Sequence, residues 1–464
     1  MRVPELTLEN LASSAYGWPL HQLNVPKAHR LTRGSNRIVV AVIDLGYRFH
    51  PEHEGHLWVN PKPERGDIHG WDFVEDDETL EYNGPLEDSQ YMRDHHAFVV
   101  GEVISVAPNC PIMALRVGYE RQESWAEAIN YAVEKGANIL IIPHGVLTVD
   151  PEDGHTPLFY RGTDFTYPVE RRDVHEALDK AYLSGCLTFM GTADNRGRRV
   201  AAALPALDSV IAVGSTNREG KPADIACSSE YTEVAAPGGQ RSSPEPHDHV
   251  WSTGGANDFV PMDGGCMAAG FAGAVAALVW SRFPNLENNQ IRQVLRNTAR
   301  GKGWNPYLGH GILDAYRAVR LTDDELTQKI KVKPRSAALK GVGDNLLLEV
   351  DVENVGVFDV ERALVVAYNG DPLKPAGRRG NMKRPVILKT RQVGHTIVKV
   401  SGFESAKSRI GLTESGPLRE LYVQAFPLDL GAPLNVDTVR IPTRSLKGRS
   451  GAGTTERLNN QYGH

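Results

Sequence analysis

Four residues in this chain carry side chains that together could perform acyl transfer: Asp44, His95, Asn195 and Cys266. A thiol can serve as nucleophile, an imidazole as base, a carboxylate as the group that orients the base, and a carboxamide as a donor to an oxyanion. Each also has a plainer reading. A lone cysteine in an Ala/Gly-rich stretch is commonly a small buried hydrophobe. Asp44 could merely cap the turn after its strand, and a histidine is more often packed or solvated than a base. Cys266 stands out by its setting. Asp263-Gly264-Gly265-Cys266 reads as a tight glycine turn that opens a helix, followed by the small-residue run Phe271 to Trp280. The glycines are expected to permit a backbone geometry that other residues resist. The first helical turn offers unpaired N–H groups and the positive end of the helix dipole, so it is expected to favour a thiolate.

The surrounding elements would have to bring these groups together. Arg37 to Asp44 is an apolar β-branched run ending in an acid, the pattern of a buried parallel strand with Asp44 at its carboxyl end. Ligands in open α/β sheets collect at that end. A helix is expected to begin near Asp94-His95-His96. Cys110 to Val117, Asn138 to Ile142, Leu187 to Met190 and Ser209 to Gly214 read as further strands. Helices around Trp125 to Gly136, Val174 to Ser184 and Asn288 to Thr298 alternate with them. The class is therefore α/β with a mainly parallel sheet flanked by helices. Residues 1–35 read as an irregular arm leading into a short helix, 36–320 as the main domain and 146–172 as a surface insertion. From about Leu321 the pattern changes. Asn345 to Val352, Ala363 to Tyr368, Pro385 to Leu388, Thr396 to Val400, Glu420 to Ala425 and Val436 to Ile441 predict an all-β sandwich over 330–445. Residues 446–464 are rich in Gly, Ser, Thr and Asn and are expected to be disordered.

Composition narrows the partners. A chain of 464 residues with 41% hydrophobic and 23% charged residues has the make-up of a globular protein of two or three domains. Its net charge of −6 argues against a general nucleic-acid binder. No stretch approaches 18 uninterrupted apolar residues, so no membrane partner is expected. Cys110, Cys186, Cys227 and Cys266 are far apart, which suits neither a zinc site nor a disulfide framework. With no visible secretory signal, the expected setting is a cytoplasm with reduced thiols. His50, His53 and His56 recur every three residues, but Pro51 and Gly55 interrupt any helix, so no metal is assigned to them. Glu75-Asp76-Asp77-Glu78 reads as a solvated loop. A weak structural calcium is the one ion that segment suggests, and no cofactor is expected.

Taken in order, these segments resemble the catalytic domain of the subtilisin-like proteases, the subtilases. Arg37 to Gly46 resembles their aspartate strand, and Asp94 to Pro108 stands where they carry the histidine helix. Gly191-Thr192-Ala193-Asp194-Asn195-Arg196-Gly197 resembles their asparagine loop, and Val234-Ala235-Ala236-Pro237-Gly238 their V-x-APG stretch. Gly264 to Val279 resembles the nucleophile helix, and Leu308 to Val319 its closing segment. The resemblance spans Trp18 to Val319, roughly two thirds of the chain. It implies a subtilisin-like fold, a peptide or protein substrate and an Asp44/His95/Cys266 triad. It also implies an oxyanion site formed by Asn195 and the Cys266 backbone N–H.

The departures from the family bear on activity. Cys266 replaces the serine, Gly265 the preceding threonine, and Gly270 the proline four residues on. His96, Ala97 and Phe98 alter the positions after the histidine. Ile141-Ile142-Pro143-His144-Gly145 alters the strand that pairs with substrate, where Pro143 cannot donate a hydrogen bond. Sulfur is larger than oxygen, and Gly270 is expected to let the helix start retreat to admit it. Such a pair resembles the change that turns subtilisins into peptide ligases. The resemblance thus implies a Cys-nucleophile peptidase forming a thioester, with transpeptidation as a variant. The alternatives are a pseudoprotease that binds peptides or proteins, and a serine enzyme silenced by substitution. The C-terminal β domain is expected to offer a surface to a protein partner.

Overall fold

The structure, a computed structural model, describes residues 6–82, 89–118, 121, 123–143, 172–192, 194, 207–255, 257–342, 345–369, 392–412, 421–427 and 437–441. The chain divides into two compact units, Met1–Arg320 and Leu321–His464.

The first unit opens with three short helices, where an arm leading into one was expected: α1 (Leu8–Leu11), α2 (Trp18–Gln22) and α3 (Val25–Ala28). Leu11, Trp18, Leu20, Leu23 and Val25 are all buried, so this segment is part of the core. Pro19 and Pro26 fall in the first turns of α2 and α3, where a missing N–H costs nothing.

Seven strands follow: β1 (Val40–Asp44), β2 (Gly70–Asp72), β3 (Ile112–Arg116), β4 (Ile139–Ile141), β5 (Leu187–Gly191), β6 (Val210–Thr216) and β7 (Thr232–Pro237). They form one parallel sheet in the order β2-β3-β1-β4-β5-β6-β7. Parallel pairing puts every carboxyl end on one edge, so Asp44 and Gly191 emerge on the same side of the sheet.

The helices are α4 (Ser89–Val106), α5 (Ser124–Glu134), α6 (Arg172–Leu183), α7 (Gly265–Arg282), α8 (Asn288–Thr298) and α9 (Ala315–Val319). Side-chain alternation along β4 separates two layers. Leu140 joins the core of Trp125, Ile129 and Leu178 from α5 and α6. Ile139 and Ile141 face α7, where a Cβ on Gly273 would lie 2.5 Å from Ile141 Cγ1. That contact explains the small residues of α7: only a Gly/Ala surface lets a helix lie so close to a sheet. Among the described residues α7 alone is long and apolar enough to cross a membrane, but 83% of it is buried in this fold, as befits a core helix. A hairpin of β8 (Val250–Thr253) and β9 (Phe259–Met262) packs on α4 through β8.

The second unit contains β10 (Ile330–Val342), β11 (Asn345–Asn354), β12 (Val360–Asn369), β13 (Gln392–Val400), β14 (Ser405–Leu412), β15 (Leu421–Pro427) and β16 (Asp437–Ile441). They make two antiparallel sheets, β10-β11-β14 and β13-β12-β15-β16. Val350, Val365, Ile410 and Val423 contribute to one core shared by both sheets. Pro385 to Leu388, the tail at 446–464 and the insertion at 146–172, except Arg172 at the start of α6, lie outside the described residues.

Candidate functional site

Asp44 ends β1 and is fully buried. Its Oδ1 accepts the Leu45 N–H at 2.7 Å, and its Oδ2 accepts from His95 Nδ1 at 2.8 Å. His95 is equally buried. A carboxylate only accepts hydrogen bonds, so Nδ1 carries the ring proton and Nε2 is the basic nitrogen. The helix that carries His95 begins at Ser89, earlier than the sequence suggested, which puts the histidine on the second turn of α4. Three contacts hold that turn. Asp94 Oδ1 accepts the Gly255 N–H at 2.7 Å. Thr253 Oγ1 donates to Ala97 O at 2.8 Å, and Ser252 Oγ donates to Phe98 O at 2.8 Å.

Cys266 is the second residue of α7, which packs on α4 and on the sheet. Two backbone contacts seat this end of the helix. Gly264 N–H donates to Gly238 O at 2.8 Å, and Gly265 N–H donates to Asp194 Oδ1 at 2.9 Å. Asp194 in turn accepts from Arg241 Nη2 at 3.1 Å, while the same nitrogen donates to Asp263 O at 2.7 Å. The glycines of this turn answer to crowding rather than to torsion. Gly264 has φ 164°, extended backbone that any residue adopts. At Gly265 a Cβ would fall 2.6 Å from Thr192 O, and at Gly191 one would fall 2.4 Å from Gly265 O.

The helix start alone would favour a thiolate, and the surrounding side chains act against it. Burial pushes the Cys266 thiol well above its usual range, and the negative charges of Asp194, Asp44 and Glu102 push it further. Arg241 acts the other way. Asp194 takes an N–H at the helix start and presents an anion where the dipole alone would favour one at sulfur. These influences oppose ionisation of the half-buried Cys266 thiol.

Helix α7 runs unbroken from Gly265, and the space beside Gly270 is filled. A Cβ there would lie 2.0 Å from Glu102 Oε2. Asn195 and His144 lie outside the described residues, while Pro143 is placed just beyond β4. Asp44 and His95 are thus brought into contact, and Cys266 opens α7, which packs against the α4 that carries His95.

The spaced histidines have structural work. His53 accepts from Tyr47 Oη at Nδ1 (2.9 Å) and donates from Nε2 to Thr253 Oγ1 (2.8 Å). Thr253 then passes its own proton to Ala97 O, so this chain of hydrogen bonds requires a neutral ring. Burial, followed by the charges of His50, His96 and His56, lowers His53 to about 3. His56 Nδ1 lies 2.8 Å from Pro108 O. Among the described residues no three His, Cys, Asp or Glu side chains converge as metal ligands.

Asp194, Glu102 and the Ser252–Thr253 clamp are residues that the sequence reading missed. For Glu102 there was a signal: an acid inside the otherwise apolar run Phe98 to Val106.

Comparison with known proteins places this site in context. The sequence pattern of the subtilase family matches residues 35–311. A thermostable alkaline protease of Halalkalibacterium halodurans is 26% identical over 332 residues, covering 68% of this chain and 77% of that protein. Mycosin-4 of Mycobacterium tuberculosis is 35% identical over 116 residues, 24% of this chain and 26% of that protein. Among solved structures, a lanthipeptide protease aligns with a TM-score of 0.55 at 20% identity, covering 68% of this chain and 98% of its own. The MycP3 protease of the type VII (ESX-3) secretion system aligns at 0.52 and 20% identity, covering 69% and 91%. At these identities the structural likenesses speak to fold.

Proposed function

The chain belongs to the subtilase family of peptidases, and from that premise we propose that Cys266 is its nucleophile, with His95 as base and Asp44 orienting the base. The observation that carries this reading is the buried 2.8 Å contact between His95 Nδ1 and Asp44 Oδ2. It fixes the proton on Nδ1, which leaves Nε2 to act as base.

Because the surrounding charges oppose a resting thiolate, ionisation and attack are one event in this reading. Sγ bonds to the substrate carbonyl carbon as His95 Nε2 takes the thiol proton. The oxyanion receives the Cys266 backbone N–H and the Asn195 amide, contacts of a kind worth about 3 kcal/mol. Collapse of the intermediate breaks the C–N bond, and His95 returns its proton to the departing amine. A thioester on Cys266 remains. Water releases an acid from it, and an amine releases a new amide.

One observation favours a second reading, a pseudoprotease that binds peptides without cleaving them. Three carboxylates around the thiol oppose its ionisation. The two readings part on covalent labelling. A peptide chloromethyl ketone should alkylate Cys266 in the wild type, located by peptide mass mapping, and should do so far more slowly in His95→Ala. Labelling that ignores His95, or no labelling alongside intact peptide binding, would favour the binding module.

A further inference from the structure

Glu102 lies seven residues after His95 on α4, two turns along the same stripe of the helix. Gly270 lies four residues after Cys266 on α7, one turn below the thiol. The two positions interlock. The Glu102 carboxyl occupies the place of a Gly270 side chain, since a Cβ there would fall 2.0 Å from Oε2 and 3.2 Å from Cδ. Glu102 is 1% exposed. Neither of its carboxyl oxygens has a hydrogen-bond partner among the described residues. A packing role alone would be served by an apolar side chain of the same length, without the cost of burying a carboxyl.

Charged groups meet this layer from every side. Asp44 comes from β1, His95 from α4, Asp194 from the segment after β5, and Arg241 from the segment after β7. Two of the three carboxylates that act on Cys266 are compensated. Asp44 accepts from His95 and the Leu45 N–H, and Asp194 accepts from Arg241 and the Gly265 N–H. Glu102 has no such support, so its charge state is the adjustable one. The Glu102 carboxyl sits against Gly270, one turn along α7 from Cys266, so the charges of the two acids disfavour each other and their titrations are linked.

We propose that Glu102 is a positioning residue for Cys266: seated in the Gly270 notch, it sets the spacing of α4 and α7. Its carboxyl also titrates beside the thiol, so that its ionised form sets a charge against a thiolate at Cys266 and its protonated form does not. The inference rests on the reading of Cys266 as nucleophile. It also gives Gly270 a reason, since the glycine makes room for a carboxyl rather than for sulfur.

The test uses the full chain and reads Cys266 alkylation by iodoacetamide against pH, with peptide mass mapping to isolate Cys266 from the buried cysteines. Glu102→Gln keeps the shape and cannot ionise, and it should move the alkylation profile down by about one pH unit. Glu102→Met fills the notch without a polar group and should do the same, which guards against a fold defect peculiar to the amide. Gly270→Ala drives a methyl into the carboxyl and should slow peptide ketone labelling about tenfold. Glu102→Ala combined with Gly270→Ala should recover most of that rate. Unchanged profiles in both Gln and Met variants, or a double variant no faster than Gly270→Ala, would overturn the proposal. Iodoacetamide reports on the thiol whether or not the protein turns over. A shifted profile without any acyl-enzyme would therefore sink the nucleophile reading alone.

Discussion

Replacing Asp44 by asparagine should disable the site without unfolding it, and the hydrogen bonds around the carboxylate say why. Oδ1 accepts from the Leu45 N–H at 2.7 Å and Oδ2 accepts from His95 Nδ1 at 2.8 Å. An amide offers one acceptor and one donor. Its oxygen will keep the Leu45 N–H, because the opposite orientation sets donor against donor. Its NH2 then faces Nδ1, which must become an acceptor, and the ring proton moves to Nε2. A ring protonated at Nε2 cannot take the Cys266 proton. Tautomer exchange of this kind costs on the order of 10⁴ in rate, about 5 kcal/mol in the barrier. Both hydrogen bonds survive in altered form, so folding stability should change by about 1 kcal/mol or less. The assay is single-turnover acylation of Cys266 by an activated peptide ester, followed by intact mass, beside urea unfolding of the same sample. A folded Asp44→Asn variant that acylates within about tenfold of wild type would refute the assignment of His95 as an oriented base.

Two further expectations follow from the same contacts. His53 is held to about 3 in the folded state, below its ordinary value near 6.5. The unfolded chain takes up that proton first, so stability is full above pH 6.5 and falls as pH drops toward 3. At pH 5 the loss is about 2 kcal/mol, readable as a lower urea midpoint than at pH 7. His53→Gln should weaken that pH dependence, and an equal dependence in the variant would contradict it. Asp194→Ala removes the acceptor of the Gly265 N–H and the charge that most raises the Cys266 thiol after burial. It should lower stability by about 1–2 kcal/mol, measured by urea unfolding, and shift Cys266 alkylation to lower pH.

Much of the frame was legible because it rests on local pattern. The apolar run ending at Asp44 is β1, and the alternating strand and helix signals give the parallel sheet with its flanking helices. Helix α8 falls at Asn288–Thr298 because its apolar residues recur at Ile291, Val294 and Leu295. Less was legible where tertiary contacts decide. Strand β10 carries Lys331, Lys333 and Pro334, and its pairing shifts between Lys333 and Ala338, so no clean alternation marks it. Strand β14 shows only Ser408, Ile410 and Leu412 inward. The N-terminal helices are too short for periodicity to register. In the site, the order of Asp44, His95 and Cys266 could be read from sequence. The charges that govern the thiol could not. Asp194 and Glu102 reach Cys266 through space from different elements, and only the packing of α4 on α7 shows that Gly270 is filled by a carboxyl.

The central claim, a thioester on Cys266, is open to one direct measurement. The protein is mixed with an activated peptide ester, quenched in acid within one turnover, and weighed intact. The account predicts a mass gain equal to the acyl group, located on Cys266, released by neutral hydroxylamine and absent in Cys266→Ala. Peptide cleavage that persists in Cys266→Ala, or peptide that binds intact and leaves no adduct in the wild type, would contradict it.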